Sequence, residues 1–590
     1  MKASLLVVLG LCLLTTSAFP NQYVTPGTGV KYTLDDLVTN SNGSVTLVSG
    51  IYYVSDTIYI NTNDTLTIYT DATIKYSANT FLGTKRDGVL LIDPPNNVTF
   101  TADDLTTGYF GIRLDSSNAS IIRKLTLEYA VSFRISDCNP TLDSCILQYN
   151  NHLTSTTFGS GAITLFRASP IIKNSKFIYN KRTAINGGSN GSNAPKIYNS
   201  YFFANNTNNV NTPQINLGSS SSTVQDTTKI IGNYIYGGST NSGGIGFLPS
   251  GSLYAIISGN VIRKNRYGIV MQGGSNINAV ISYNIIDTNN IENNPNLGGS
   301  GISFYGGTAT SQQNTIVTGN IIRANLWGIT IVPGSRAKPN LGDLSNSDTT
   351  DDGKNQFINN TNAATPDIDL YNNTPDNIKA ENNYWNTDDP AIAEARIFHQ
   401  VDNASLGLVD FDPILTSTVL PVTFSRFNAI KKDRAIVLTW QTATEVNTAY
   451  FNIQRSADGR SFITIGKVNA ANALNYSYID ADELKGNAVF YRLQVIDKDG
   501  KTSYSNVKRV TLNTGFNFTI SPNPAKNSIV LQGEGIVAMK IISSNGQTVM
   551  QQQFTLAASP IDISTLRSGF YIVQITDKNG NFASQQLIVR

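Results

Sequence analysis

The run Ile256-Ile257-Ser258-Gly259-Asn260-Val261-Ile262-Arg263-Lys264-Asn265 recurs as Val280 to Asn289, with Asn284 in the equivalent place, and again as Ile316 to Asn325, centred on Asn320. Fainter copies centre on Cys145, Ser175, Ser200, Asn233, Asn355 and Asn382. Most carry an asparagine five residues later: Asn150, Asn180, Asn205, Asn265, Asn289, Asn325 and Asn360. From Asn233 onward the centres are 27, 24, 36, 35 and 27 residues apart. A base period in the twenties with insertions of varying length describes a solenoid whose coils carry loops.

The residue types select the kind of solenoid. Each repeat holds short β-branched pairs (Ile171-Ile172, Ile230-Ile231, Ile256-Ile257) set off by Gly or Asn, and none holds a ten-residue helical pattern. Coils of strands stack about 4.8 Å apart, so equivalent residues form columns. An Asn in each turn can then donate its side-chain amide to the next, making a ladder, with isoleucines in matching columns inside. Gly268-Ile269-Val270, Gly301-Ile302-Ser303 and Gly328-Ile329-Thr330 mark a further face. Val24–Tyr76 reads as the first coils or their cap, which an open parallel stack needs.

Composition narrows the partners. Across 590 residues the formal net charge is +2 and 14% are charged, which argues against nucleic acid, whose phosphates need clustered Lys and Arg. Met1–Ala18 reads as a signal peptide, with Lys2 before the apolar Leu5–Leu14 and small residues at Thr16-Ser17-Ala18. No later segment has the length and apolarity of a transmembrane helix. Export into an oxidising compartment would let Cys138 and Cys145 bridge the Asn139–Ser144 turn; burial as two thiols is the competing expectation.

The segment Asn382-Asn383-Tyr384-Trp385, then Val409-Asp410-Phe411-Asp412-Pro413, resembles the terminal segment of secreted right-handed parallel β-helix proteins of the pectin-lyase-like kind. With the repeats, the resemblance covers roughly residues 22–415 within a 19–415 solenoid domain. Residues 421–512 (Val437-Leu438-Thr439-Trp440, Phe451–Ser456, Phe490-Tyr491-Arg492-Leu493, with Asp458-Gly459 and Asp499-Gly500 turns) resemble a fibronectin-III-like β-sandwich. Residues 517–590 resemble the C-terminal sorting domain of type IX secretion, through Ser521-Pro522-Asn523-Pro524-Ala525, Ser544-Asn545-Gly546, Ile561–Leu566, Gly569–Val573 and Leu587–Arg590. The fold implied is all-β: a right-handed parallel β-helix solenoid followed by two small β-sandwich domains. The sorting resemblance implies the type IX machinery as a partner and a secreted or outer-surface destination in a Gram-negative cell.

The chain has two histidines, His152 and His399, neither in a Gly-His-Gly setting, and no stretch carries the catalytic motif of a β-helix lyase or hydrolase. Aligning the repeats puts Arg263, Asp287 and Arg323 in one column. That column is either a cross-coil ion ladder or a site for an acidic sugar, with Arg as a lyase base. Tyr267 and Trp327 are equivalent two coils apart, serving as sugar-stacking faces or as corner fillers. Asp343, Asp348, Asp351 and Asp352 crowd one loop, dense enough to suit Ca²⁺ or simply solvated. No organic cofactor or nucleotide is expected, because no Gly-rich phosphate loop opens a helix. Lys181-Arg182 and the stretch Asn186–Asn193 would border a cleft. Three functional readings follow: a non-catalytic module that binds glycans or serves adhesion, a lyase or hydrolase of an acidic polysaccharide, and a purely structural surface-layer component without glycan affinity.

Overall fold

A computed structural model describes residues 22–590 apart from 152–156, 188–190, 219, 274–275, 307–312, 363–366, 417–422, 433–434, 445–447, 472–474, 483–487, 499, 513–517, 534, 544–546, 555–559 and 578–581. The expected signal peptide, His152, Asp499 and the Ser544-Asn545-Gly546 hairpin lie outside the described residues. The chain divides into two compact units, residues 1–417 and 418–590.

The first unit is a parallel β-helix. Among the described residues, sheets of 14, 13 and 11 strands run along it, each strand pairing with its counterpart one coil away. Pairing is parallel throughout except for one hairpin near the start, Val45–Val48 against Ile51–Val54. The isoleucine columns are literal. On the 14-stranded sheet, Ile163, Ile185, Ile215, Ile245, Ile269, Ile302 and Ile329 stand in unbroken register, every one fully buried. Each such side chain contributes about 1.5–3 kcal/mol through burial. The Gly preceding several of them is required by close approach: a Cβ on Gly268 would lie 2.4 Å from the Gly301 carbonyl oxygen, and one on Gly328 2.4 Å from that of Asp369.

Two asparagine ladders fix the corners on either side of the 13-stranded sheet. In the first, Asn233, Asn260, Asn284, Asn320 and Asn355 each donate Nδ2 to the Oδ1 of the next, at 2.9–3.0 Å. Each Oδ1 also accepts the preceding rung's backbone N–H, as Asn284 does from Asn260 at 2.9 Å. Ser175 and Ser200 serve as shorter rungs, accepting the backbone N–H of Cys145 and Ser175 at 3.1 Å. The residue before each rung takes a positive φ, which explains Gly232, Gly259 and Gly319 (φ 64–68°). The last rung is Asn383, which accepts from Asn355 at 2.9 Å, and not the expected Asn382, which occupies the positive-φ corner at 58°.

The second ladder runs Asn150, Asn180, Asn205, then Asn265, Asn289, Asn325 and Asn360. The coil between Asn205 and Asn265 has Gly238 where the rung belongs. Gln214, fully buried, fills the gap: its Oε1 accepts from Asn205 at 3.0 Å and its Nε2 donates to Asn265 at 2.9 Å. The ladder ends on Asp369, which accepts from Asn360 at 2.8 Å and pairs with Arg396 Nε at 2.6 Å.

The ends are finished by different devices. Near the start, helix α1 (Leu34–Asn40) opens with a reciprocal Thr33/Asp36 capping box and sends Leu34 and Leu37 into the core. Near the far end, Trp385 is fully buried and stacks on Phe357 at 4.5 Å, ahead of the short helix α2 (Pro390–Glu394). His399 accepts the Val409 N–H at Nδ1 (2.9 Å) and so offers Nε2–H to Glu394 at 2.7 Å, a buried structural role.

Cys138 and Cys145 are both buried free thiols, the second of the two expectations and not the disulfide. The Asn139–Ser144 stretch is no simple turn: it holds strand Thr141–Asp143, which crosses the 11-stranded sheet and leaves the cysteines at its two corners. Burial pushes the thiols up, to about 11 at Cys138 and about 12 at Cys145. Native protein is therefore expected to be inert to a thiol-specific chromogenic reagent, with both thiols reacting once urea unfolds the chain. An unchanged mass after reduction of the native protein checks the same point; rapid native labelling would contradict it.

The second unit holds two further cores. Strands Thr423–Lys432, Ala435–Thr444 and Asn475–Asp480 form one antiparallel sheet, and Thr448–Ser456, Ile463–Asn469, Ala488–Asp497, Thr502–Tyr504 and Lys508–Thr511 form another. They enclose Trp440, Phe451, Tyr491 and Leu493, the two-sheet form expected of a sandwich. The predicted turn at Asp458-Gly459 is present, with Gly459 at φ 75°. Residues 519–589 make the last pair of sheets, around Ile529, Ile541, Val573, Ile575 and Leu587.

Candidate functional site

The outer face of the 13-stranded sheet is where the coil register gathers the most chemistry. Strands Tyr201–Phe203 and Tyr234–Tyr236 each point their middle residue, Phe202 or Ile235, into the core and turn the flanking rings outward. Register sets Tyr201 against Tyr234 and Phe203 against Tyr236. The rings stack across coils at 5.3 and 5.1 Å and lie side by side within each strand at 5.8 and 6.4 Å. The result is a block of four half-buried aromatics. At the adjoining corner, Tyr129, Tyr149 and Tyr179 form a second stack at 5.6 and 6.1 Å.

The charged column predicted from the repeats continues this block. Phe203, Tyr236, Arg263, Asp287 and Arg323 occupy successive positions of one register. Asp287, 5% exposed at its side chain, lies between the two guanidinium groups, 3.2 Å from Arg323 Nη2 and 3.6 Å from Arg263 Nη2. Its carboxylate is shared between two cations, the arrangement of an ion ladder, and the triad keeps a net charge of +1. Sequence reasoning found this triad and missed the aromatics beside it. The signal was present: Tyr201 and Phe203 after Ser200, and Tyr234 and Tyr236 after Asn233, hold the same offsets as Val261 and Arg263 after Asn260.

The remaining candidates are placed elsewhere. Tyr267 and Trp327 are equivalent, joined through Ser300. Both are half-buried. Trp327 donates its indole N–H to the Pro295 carbonyl at 3.0 Å beneath a loop that Arg266 clamps through Glu292 (2.5 Å). Burial moves the Tyr267 phenol up to about 12. These rings fill corners. The stretch Asn186–Asn193 includes strand Gly191–Ser192 and the end of Thr183–Gly187.

The carboxylates of the acidic loop do not converge on one point. Asp343 accepts from the Ser345 N–H and hydroxyl, and Asp348 from those of Thr350, bonds that hold both carboxyls below their ordinary values. Asp351 accepts from Asn340 and Asn346, and Asp352 faces Lys354 at 4.0 Å. Asp343 and Asp348 thus each cap their own turn, while Asp351 and Asp352 are engaged by other side chains. Among the described residues no three His, Cys, Asp or Glu side chains are grouped to hold a metal ion.

Residues 519–590 match the family of secretion system C-terminal sorting domains. The chain is thus an exported β-helix protein, secreted or displayed on the outer surface of a Gram-negative cell by the type IX machinery. Among the described residues no helix is long and apolar enough to cross a membrane. No curated protein matches the chain. Among solved structures it is similar to a mutant tailspike protein of Escherichia coli bacteriophage HK620 in complex with a pentasaccharide, over 84% of this chain and 87% of that one, at 9% identity and a TM-score of 0.32. It is also similar to the BSP domain of a biofilm associated protein (28% of this chain, 29% of that one, 15% identity, TM-score 0.12). A third likeness is to dimeric latent PorU from Porphyromonas gingivalis (31% of this chain, 22% of that one, 12% identity, TM-score 0.12). The chain spans less than a third of the length of these last two, and likenesses this distant carry no functional argument.

Proposed function

We propose that this exported solenoid is a non-catalytic glycan-binding module that holds a polysaccharide along the outer face of its 13-stranded sheet. The observation that carries this reading is the block Tyr201, Phe203, Tyr234 and Tyr236, aligned by the coil register with Arg263, Asp287 and Arg323. Tyrosines combine apolar ring surface with a phenolic hydroxyl, which suits a saccharide whose C–H patches alternate with hydroxyls. A solenoid repeats such contacts along its axis, as a repeating polymer does along its chain.

Immobilised neutral and acidic polysaccharides are expected to retain the full chain. For the neutral polysaccharides, the double variant Tyr234→Ala/Tyr236→Ala should lose about 10- to 100-fold in affinity, from ~0.5–1.5 kcal/mol per ring. Unchanged retention of that variant on the neutral polysaccharides would refute the placement. Release of new reducing ends or unsaturated uronate by the wild type would instead make the protein a polysaccharide hydrolase or lyase.

A further inference from the structure

The 14-stranded sheet carries a different constellation near its N-terminal end. Register places Arg113 directly opposite Arg134, on the adjacent strands Tyr109–Asp115 and Ala130–Ser136. Like charges facing one another across a strand pair work against the fold, so this juxtaposition has a cost that nothing in the core repays. The nearby carboxylates are already engaged. Asp115 pairs with Arg113 Nε at 2.7 Å, and Asp137 takes both Nε and Nη2 of Arg167 at 2.5 and 2.7 Å.

Arg134 is left with neutral partners. Its Nε donates to Ser136 Oγ at 3.0 Å, its Nη1 donates to the Thr157 carbonyl, and its guanidinium lies 5.4 Å from the Phe166 ring centroid. Among the described residues no carboxylate lies within ion-pair distance of Arg134, and its Nη2 has no hydrogen-bond partner. Burial, and then the charge of Arg113, hold its pKa below the ordinary guanidinium value. Four cations, Lys85, Arg113, Arg134 and Arg167, thus share a patch with two carboxylates.

The setting is built. Phe158 is fully buried, yet it packs on Phe81 at 5.1 Å and Phe110 at 5.3 Å on the outside of the sheet, which pins the Thr157 carbonyl beside Arg134. Lys85 sits 3.8 Å over the Tyr59 ring, and Arg167 lies 4.2 Å over Phe166. A planar guanidinium with a free N–H edge, next to a second guanidinium and bordered by rings, matches an oxyanion carried on a partly apolar body.

We propose that Arg113 and Arg134 bind an oxyanion, the carboxylate or sulfate ester of an acidic saccharide, with Tyr59 and Phe166 bordering the sugar that bears it. The bound anion supplies the charge that the strand pairing lacks, so ligand and fold favour the same state. The site lies on a different sheet from Tyr234 and Tyr236, and it holds or fails apart from the glycan face described above.

Calorimetric titration of the full chain with polygalacturonate, dextran sulfate and neutral dextran tests this. Binding of at least one acidic polymer, weakening as salt is raised, is expected, and which of the two binds identifies the anion as carboxylate or sulfate. Arg134→Gln should weaken that binding at least tenfold while leaving the melting temperature unchanged or raised. Arg113→Gln should weaken it likewise, which keeps the test decisive if one variant folds poorly. Tyr234→Ala/Tyr236→Ala should leave acidic-polymer binding through this site intact. Lys540→Gln, the same charge change at an exposed strand position of the C-terminal domain, should have no effect. Failure of both acidic polymers to bind, undiminished binding by both arginine variants, or an equal loss in Lys540→Gln would each overturn the proposal.

Discussion

Replacing Arg396 by alanine is expected to destabilise the β-helix by about 3–5 kcal/mol at neutral pH, the loss that follows when one partner of a buried ion pair is removed. Asp369 has no exposed side-chain surface, and Arg396 Nε lies 2.6 Å from its carboxylate. Burial holds this carboxyl above its ordinary pKa, while Arg396 and then Asn360 pull it down. Without Arg396 the shift upward grows. A carboxyl whose folded pKa exceeds its unfolded value takes up a proton on folding, so its stabilising contribution is full at low pH and is lost as pH rises through the folded pKa. The deficit of Arg396→Ala should therefore be largest near neutrality and shrink as the solution is acidified towards the unfolded carboxylate range. Urea midpoints of variant and wild type at several pH values measure it. Adding Asp369→Asn to the variant should recover part of the loss at neutral pH and flatten the dependence. A deficit below about 1 kcal/mol, or one indifferent to pH, would show that the pair does not anchor the end of the ladder.

Asn284→Ala should be nearly as damaging, at about 2–5 kcal/mol, because it orphans at least two buried backbone groups costing ~1–3 kcal/mol each. The Asn260 N–H loses its acceptor at 2.9 Å, and the Ile257 carbonyl loses its donor at 2.9 Å. The links to the side chains of Asn260 and Asn320 go with them. Asn284→Ser should cost roughly half as much, since a hydroxyl can still accept the backbone N–H, as Ser175 and Ser200 do earlier in the same column. Thermal unfolding followed by circular dichroism would rank the two variants, and amide exchange at Asn260 would report the local loss. Equal effects from Ala and Ser would mean that the backbone N–H of the rung is not what the column stabilises.

The repeat made the solenoid legible because one physical demand, a corner with a positive-φ residue followed by a buried amide, recurs at nearly every coil. The column Arg263–Asp287–Arg323 followed from it directly. Reading failed where that marker was absent or doubled. Asn382 and Asn383 both satisfy the pattern by eye, and only the hydrogen bond from Asn355 separates corner from rung. Tyr201 and Tyr234 were overlooked because an aromatic in a strand reads first as core, although its offset from the ladder says outward. Arg113 and Arg134 lie in coils that precede the first clear asparagine, where register cannot be counted from the sequence. The segment between the cysteines reads as a turn because a three-residue strand between two tight corners has the composition of one.

Gln214 carries a wider implication. A coil without its own rung would be expected to sever the second ladder, yet a longer amide from a different place in the array completes the circuit between Asn205 and Asn265. Integrity of the spine is thus shared across neighbouring coils and does not belong to each one separately. Such an array tolerates errors: individual turns can lengthen, shorten or mutate at their signature position while a spare part nearby preserves continuity. Loops and outward faces are then released to diversify coil by coil, and one scaffold can carry two surfaces as unlike as an aromatic block and an arginine pair.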